Sequence, residues 1–408
     1  MGFRKFINDP VHGFITINDP LIFEIISHPW VQRLRRINQM AMSYLVYPGA
    51  VHSRFHHALG AYHLMGNALH ELKQKGISIS EEEEQAAKIA ILLHDVGHGP
   101  FSHALESILV KDLEHEAISL MIMHALNEQF NGKLTMAIEI FKGSYSKKFL
   151  HQLISGQLDV DRMDYLTRDS FFSGVIEGSI GCDRILKMLT VHEGSLMVEE
   201  KGIYSIENFL VARRLMYWQV YQHKTVLSAE MTLVKILERA IWLFNNGDRE
   251  ISASNGLGNL LFNRKSQFDN HFLEMFCGLD DSDVMSEIKR WKSHKDSVIA
   301  LLSDAILNRN LLKLRMQNEP ISAEEINDKK TELALALDLK PEDANFLVFT
   351  GIAENSLYNL NDEKINILYK DGAVRDISKV DAPLIHQNLS QPVKKFYISF
   401  YKTQKKPS

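Results

Sequence analysis

Residues 94–115 hold His94, His98, His103 and His115, although 18 histidines in 408 residues predict about one in a window of that length. His94 is followed directly by Asp95, at the end of the apolar run "IAILL". An uncompensated carboxylate next to such a run is costly to bury, and a divalent cation would compensate for it. Imidazole nitrogen suits Zn, Fe, Ni or Cu and carboxylate oxygen suits Mg or Mn, so a mixed set does not name its metal. Neighbouring residues of a helix point about 100° apart and cannot chelate from one face. At a helix terminus, however, both can converge on one ion, with further ligands coming from elsewhere. His57 in "HSRFHHALG" and an aspartate of "LDVDRMDYLTRD" are the candidates. On the His-Asp pair alone, a capping histidine and an aspartate in a surface turn remain the simpler explanation.

Composition sets the frame. The 408 residues are 45% hydrophobic and 24% charged, the balance of an ordinary globular protein, with room for two domains or one large body and an appendage. A net charge of −5 supplies no global basic field for nucleic acid or an anionic membrane, so any anion site must be local. "MGFRKFINDPVHGF" interrupts the apolar core that a signal peptide needs, and Phe6 stands where myristoylation needs Ser or Thr. No run of about 18 apolar residues occurs. The expected location is cytoplasmic, without membrane attachment. Cys182 and Cys277 cannot form a disulfide framework or a metal cluster by themselves.

The elements that must position these residues are mostly helical. Residues 6–20 carry Asn-Asp-Pro twice, which predicts a short hairpin or extended arm. From 21 onward apolar residues recur at spacings of three and four, with Pro29 breaking one helix from the next. "YLVYPGAVHSRF" reads as a loop, and the helix after it stops at Gly76, a left-handed C-cap. Ser80 caps the next helix, with acids in its first turn. Helices continue to about 170 and break at Gly174, Gly178 and Gly181. Residues 188–206 read as strands around a Glu193-Gly194-Ser195 turn. Helices return at 206–245 and more weakly through 280–336. The tail from about 340 alternates in "NFLVFTG", "KINILYKDG" and "KKFYISFYK". The expected fold is mainly α, with a small α+β C-terminal element. The expected division is 1–340 as catalytic region with its N-terminal arm and 341–408 as that element.

"HSRFHHALG", "HDVGHGPFSH" and "LDVDRMDYLTRD", in this order and spacing, resemble the HD-domain phosphohydrolases, and more narrowly the deoxynucleoside triphosphate triphosphohydrolases of the SAM-and-HD-domain type. The likeness runs from "NDPVHGFI" through "VQRLRRINQM", "YPGAVHSRFHHALG" and "LEHEAI" to "YQHKT", roughly residues 5–230, and no SAM domain is expected. The resemblance implies an HD helical core at about 50–170 and a divalent metal ion, Mg, Mn, Zn, Fe or Ni, held by His57, His94, Asp95 and Asp161, with Asp159 the competitor for the last place. It implies hydrolysis of dNTP to deoxynucleoside and tripolyphosphate.

Such a substrate carries about four negative charges, so its pocket should collect cations despite the acidic total. The resemblance puts Arg54, Arg162, Tyr165 and Arg213 on phosphate or sugar. Arg162 departs from the family, which places Lys there, and the two are not interchangeable in geometry. Lys224 is a weaker candidate. Departure of the 5′-oxygen calls for a general acid. His103 lies three residues before Glu106, a spacing that puts both on one helix face. With His98 and His115 they fall on the α-phosphate and leaving-group side, His103 as acid and Glu106 as its orienter. Gln39 matches a position near the sugar, Asp169 one that reads the 3′-hydroxyl, and Tyr221 and Gln222 a segment packed against the deoxyribose. Lys5, Gln32 and Arg35 match positions where a nucleotide activator sits between subunits of relatives, so an activator and a homo-oligomer are candidate partners. Ser27 and His28 stand where a base-reading acid would be, which argues against guanine-dependent activation. The alternatives are an HD phosphohydrolase acting on another phosphoester, a nucleoside monophosphate or a signalling nucleotide, and a non-catalytic nucleotide-binding module.

Overall fold

The computed structural model describes residues 2–111, 113–263, 268–355, 358, 363–380 and 393–402. Strands β1 (Lys5–Asp9) and β2 (Gly13–Ile17) form an antiparallel hairpin. Asp9 Oδ1 accepts from the backbone N–H groups of Val11 and His12 at 2.9 Å, closing the turn. Asp19 caps a helix over Pro20–Ser27, and Pro29 opens a separate turn over Pro29–Gln32. The continuous second helix expected there is absent: Arg33–Arg36 tightens to 3-10 geometry. The fully buried Arg33 guanidinium is anchored on backbone, donating from Nη2 to Val96 O at 2.8 Å and from Nη1 to Leu279 O at 3.3 Å.

The central body packs the helix Arg54–Gln74 against Glu81–Leu93 on one side and Val160–Ser173 on the other. Gly76 ends the first with φ of +82°, and Ile77 N–H returns to Leu72 O at 3.1 Å, the Schellman closure that needs a left-handed residue. Ser80 and Glu83 exchange hydrogen bonds at 3.1 and 2.8 Å, a capping box. The second helix buries Ala86, Ala87, Ile89, Ala90, Ile91, Leu92 and Leu93 and ends there, so His94 and Asp95 emerge from a helix terminus as the sequence requires.

Beyond Gly174, at φ +75°, strands β3 (Leu189–His192) and β4 (Ser195–Glu199) pair across a two-residue turn, Glu193-Gly194. Both turn residues have positive φ, +50° and +76°, the type I′ geometry of tight hairpins. Helices Ile203–Met216 and Lys224–Asn245 follow, joined by a π-helical turn at Tyr217–Tyr221 that periodicity did not predict. The region read as weakly helical also hides strand β5 (Lys313–Gln317).

In the tail, β6 (Val348–Asn355), β7 (Asn366–Leu368), β8 (Val374–Asp376) and β9 (Val393–Phe400) do not form a sheet of their own. β9 runs between β5 and β6, antiparallel to both, while β7 pairs parallel with β4 and antiparallel with β8. The architecture is mainly α with this small α+β addition. Of the tail segment 356–378, residues 356, 357 and 359–362 lie outside those described, and β7 and β8 pair within the remainder. Among the described residues no helix is long and apolar enough to cross a membrane.

Candidate metal centre and phosphate site

Three helix ends meet at His57, His94 and Asp161. His57 lies in the first turn of Arg54–Gln74, His94 caps the end of Glu81–Leu93, and Asp161 lies in the first turn of Val160–Ser173. One ligand atom from each falls within 4.8 Å of the other two. Asp161 Oδ1 lies 3.0 Å from His57 Nε2 and 3.4 Å from His94 Nε2. Asp95 Oδ1 lies 3.4 Å from His94 Nε2, and Asp95 Oδ2 lies 3.7 Å from His57 Nε2. All four expected ligands are thus brought together. Both Nε2 atoms are buried without a well-formed hydrogen bond, the condition that a shared cation would relieve.

The opposite face of each ring is fixed. His94 Nδ1 donates to Ile91 O at 2.6 Å and His57 Nδ1 to Asp164 Oδ2 at 2.8 Å, which leaves each Nε2 lone pair directed inward. Asp164, fully buried, also accepts from His12 Nε2 at 2.6 Å and from Arg168 Nε and Nη2 at 2.9 Å each. Arg168 reaches on to Asp9 at 2.8 Å. The Gly60 position makes this cluster possible, since a Cβ there would lie 1.9 Å from Asp164 Oδ1. Sequence reasoning missed Asp164, Arg168, Asp9 and His12 as supports. "VHGF" and "YLTRD" contained them, but no local pattern joins residues 152 apart.

Electrostatics agree with a cation-seeking centre. Burial would lower His57, but the Asp161 carboxylate close to Nε2 and the Asp164 carboxylate on Nδ1 outweigh it and hold the imidazole up at about 10. Burial would raise Asp161, but its contacts with His57 and His94 pull it below the ordinary carboxylate range. Protons here occupy the place of positive charge. Asp159 behaves differently: it caps the helix by accepting from Arg162 N at 2.7 Å and Gly156 N at 2.9 Å, and it pairs with the Arg162 side chain. Burial raises it to about 6. Asp161, not Asp159, therefore faces the two histidines.

The turn after His94 is held by Ser119, which donates to His94 O at 2.7 Å and accepts from Gly97 N at 2.9 Å. A Cβ at Gly97 would come 2.2 Å from His115 O. Next, Phe101 and Ser102 both adopt positive φ, +54° and +52°, a strained pair of non-glycine residues. Asp281 Oδ1 accepts from Phe101 N at 2.8 Å, and Ser102 Oγ accepts from Arg54 Nε at 2.6 Å. His103 then sits in a 3-10 turn and Glu106 begins a separate short helix. The shared α-helical face expected for them is therefore corrected, because the strained backbone ends one element before the next starts. They meet nonetheless: Glu106 accepts from His103 Nδ1 at 3.0 Å and from His115 Nδ1 at 2.9 Å. His98 stacks on His115 with ring centroids 3.9 Å apart. Burial would raise Glu106, but its two histidine partners hold it well below its usual range. Burial near Arg54 keeps His98 well below its ordinary value, hence neutral.

The remaining candidates divide. Arg54 is buried and pairs with Asp95. The charges of Arg162 and Arg213 are felt at Tyr165, as is that of Asp161, although burial dominates and pushes the phenol well above its ordinary value. Arg213 Nε and Nη1, Arg162 Nε, Gln39 Oε1 and Gln222 Oε1 are buried without hydrogen-bond partners. Asp169 is buried and doubly engaged, by His52 Nε2 and Tyr221 Oη at 2.7 Å each. Tyr221 stands on the π turn, and Gln222 just after it donates to Glu354 O of β6 at 2.8 Å. Gln39 joins the site edge through its N–H to His52 O, 2.9 Å. Lys5 lies over the Phe23 ring, Arg35 over Phe55, and Arg35 donates to Gln32 at 2.8 Å. His28 bonds Gln129 at 3.1 Å.

A family model described as "HD domain" matches residues 54–169, and one described as "HD associated region" matches 180–253. The uncharacterized protein YwfO of Bacillus subtilis is 33% identical over 317 residues, 76% of this chain and 71% of its own length. The deoxynucleoside triphosphate triphosphohydrolase SAMHD1 of Bos taurus is 29% identical over 390 residues, 83% of this chain and 65% of that protein. Its human counterpart is 32% identical over 264 residues, 54% of this chain and 42% of that protein. A crystal structure of a phosphohydrolase from Bacteroides thetaiotaomicron superposes with a TM-score of 0.94 at 47% identity, covering 98% of this chain and all of that one.

Proposed function

The chain belongs to the HD-domain phosphohydrolases, and on that premise we propose that it is a metal-dependent deoxynucleoside triphosphate triphosphohydrolase, converting dNTP and water to deoxynucleoside and tripolyphosphate. The observation that carries the reading is Arg213, whose Nε and Nη1 are buried with no partner among the described residues. Leaving buried donors unpaired costs about 1–3 kcal/mol, more for charged groups, so a guanidinium retained in this state is built to receive an anion. Arg162, whose charge like that of Arg213 is felt at Tyr165, would double the charge available to a polyphosphate. The triphosphohydrolase activity for which the Bos taurus and human relatives are named supports the substrate class.

His57, His94, Asp95 and Asp161 would hold the divalent ion, which when bound would polarise a phosphoryl oxygen and activate water. Arg162 and Arg213 take the phosphate charge, with Tyr165 between them. The α-phosphorus to 5′-oxygen bond breaks as the water oxygen bonds to phosphorus. The His103 imidazolium gives its Nε2 proton to the departing 5′-oxygen, while Glu106 holds Nδ1. His98 and His115 contact the α-phosphate. Asp169, positioned by His52 and Tyr221, accepts the sugar 3′-hydroxyl, Gln39 and Gln222 line the sugar side, and the Tyr221 ring leaves no space for a 2′-hydroxyl. A nucleotide activator bound by Lys5, Gln32 and Arg35 between subunits of a homo-oligomer belongs to the same reading.

The test is incubation with each of the four dNTPs, singly and mixed, plus Mn²⁺ or Mg²⁺, with products resolved by phosphorus NMR. Intact tripolyphosphate is expected. Orthophosphate or pyrophosphate would move the assignment to another phosphoester.

A further inference from the structure

His98, His103 and His115 present one ring nitrogen each within 4.8 Å of the others. Their tautomers are set from outside. His98 Nδ1 faces Asp95 O at 3.3 Å, and the Nδ1 atoms of His103 and His115 face the two oxygens of Glu106 at 3.0 and 2.9 Å. A carbonyl or carboxylate only accepts, so in the neutral rings all three Nδ1 atoms carry hydrogen and all three Nε2 atoms keep a lone pair. Two of these lone-pair atoms, Nε2 of His98 and of His103, lie 3.5 Å apart. Tetrahedral zinc with Zn–N of about 2.0–2.1 Å separates its nitrogens by roughly 3.3–3.4 Å. A carboxylate holding the far side of ligating imidazoles is the usual support of a metal site, and Glu106 supports two of the three.

We propose that His98, His103 and His115 form a second cation site, selective for a borderline-soft divalent ion of the zinc class and separate from the centre at His57, His94 and Asp161. The two sites adjoin, because Asp95 Oδ1 lies 3.4 Å from His94 Nε2 and 3.4 Å from His98 Nδ1. The His103 side chain is 68% exposed, so this ligand is open to an ion arriving from solvent. The proposal rests on the assigned function in one respect: the same three imidazoles are those that meet the α-phosphate. Zinc there withholds the His103 Nε2 lone pair from its proton, so zinc and dNTP compete.

Metal-stripped full-length protein titrated with Co²⁺, read by visible absorbance and equilibrium dialysis, tests this. Two equivalents are expected, one with the intense bands of low-coordinate cobalt. His115→Ala should keep one equivalent and lose those bands, His94→Ala should lose the other equivalent and keep the bands, and Glu106→Gln should weaken the second site about 10–100-fold. A single equivalent in the wild-type protein, or two that survive His115→Ala, His98→Gln and Glu106→Gln alike, would overturn the proposal. Two equivalents following this pattern in a protein that cleaves no dNTP would uphold the site and sink the substrate reading.

Discussion

His57, His94 and Asp161 stand at the ends of three long helices, whereas His98 and His103 stand on the strained loop between Asp95 and Glu106. The first group is backed by buried ionic partners, Asp164 and Arg168 of the helix Val160–Ser173 and Asp9 and His12 of the N-terminal hairpin. The second depends on one half-buried carboxylate, Glu106, and on backbone anchors from Ser119 and Asp281. A centre that must hold an ion in fixed geometry gains from rigid helix termini. Groups that must follow a phosphate from ground state to transition state gain from a loop whose strain leaves it another conformation close in energy.

The strongest way to break this contrast is Asp161→Asn. Turnover should fall by at least about 10³-fold while helical circular dichroism is retained; a tenfold loss or less would mean that the helix-end cluster is not the reactive centre. His103→Ala should lower kcat by about 10²–10⁴-fold with Tm within a few degrees, because little of the side chain is buried. Asp164→Ala touches no expected ligand atom from the reacting side, yet it leaves the buried Arg168 with Asp9 alone and frees the His57 ring. Stability should drop by about 3–5 kcal/mol and metal affinity by about 10–100-fold, both measurable by denaturant melts with and without Mn²⁺. Arg213→Ala sharpens the contrast in another way: KM should rise roughly tenfold, about 1.4 kcal/mol of lost binding, while the ligand-free protein melts no lower, because buried unpaired donors are removed. The smallest effect belongs to pH. Glu106 is held below its usual range by its histidine partners, so its contribution is present above about pH 4.3 and is lost as the pH falls. Being half exposed, it is worth under about 1 kcal/mol. The Tm gap between wild type and Glu106→Gln should hold steady from pH 7 to about 4.3 and narrow as the pH falls further.

The residues that gather at the helix ends were only partly readable: His94-Asp95 stood out where an apolar helix stops, while the choice of His57 and Asp161 came from the family resemblance, although each lies in the first turn of a capped helix. The supports were not readable. His12 and Asp164 find each other across 152 positions, and nothing local to either residue encodes that meeting. The Tyr217–Tyr221 π turn was hidden for a different reason, since its residues satisfy an α-helical pattern equally well. β5 and β9 are short alternating runs whose partners are distant. Single-chain patterning detects such strands but cannot pair them.

That pairing bears on how the chain comes off the ribosome. β9 is the middle strand of its sheet, yet both of its neighbours precede it. Roughly 75 residues separate the end of β5 from the start of β9, about 4–15 s of synthesis at ~5–20 residues per second. Through that interval β5 and β6 have no strand between them, and Gln222 has only an unanchored β6 carbonyl to reach for. The helical centre with its His57, His94 and Asp161 cluster can fold early, but the strand that Gln222 leans on is fixed last.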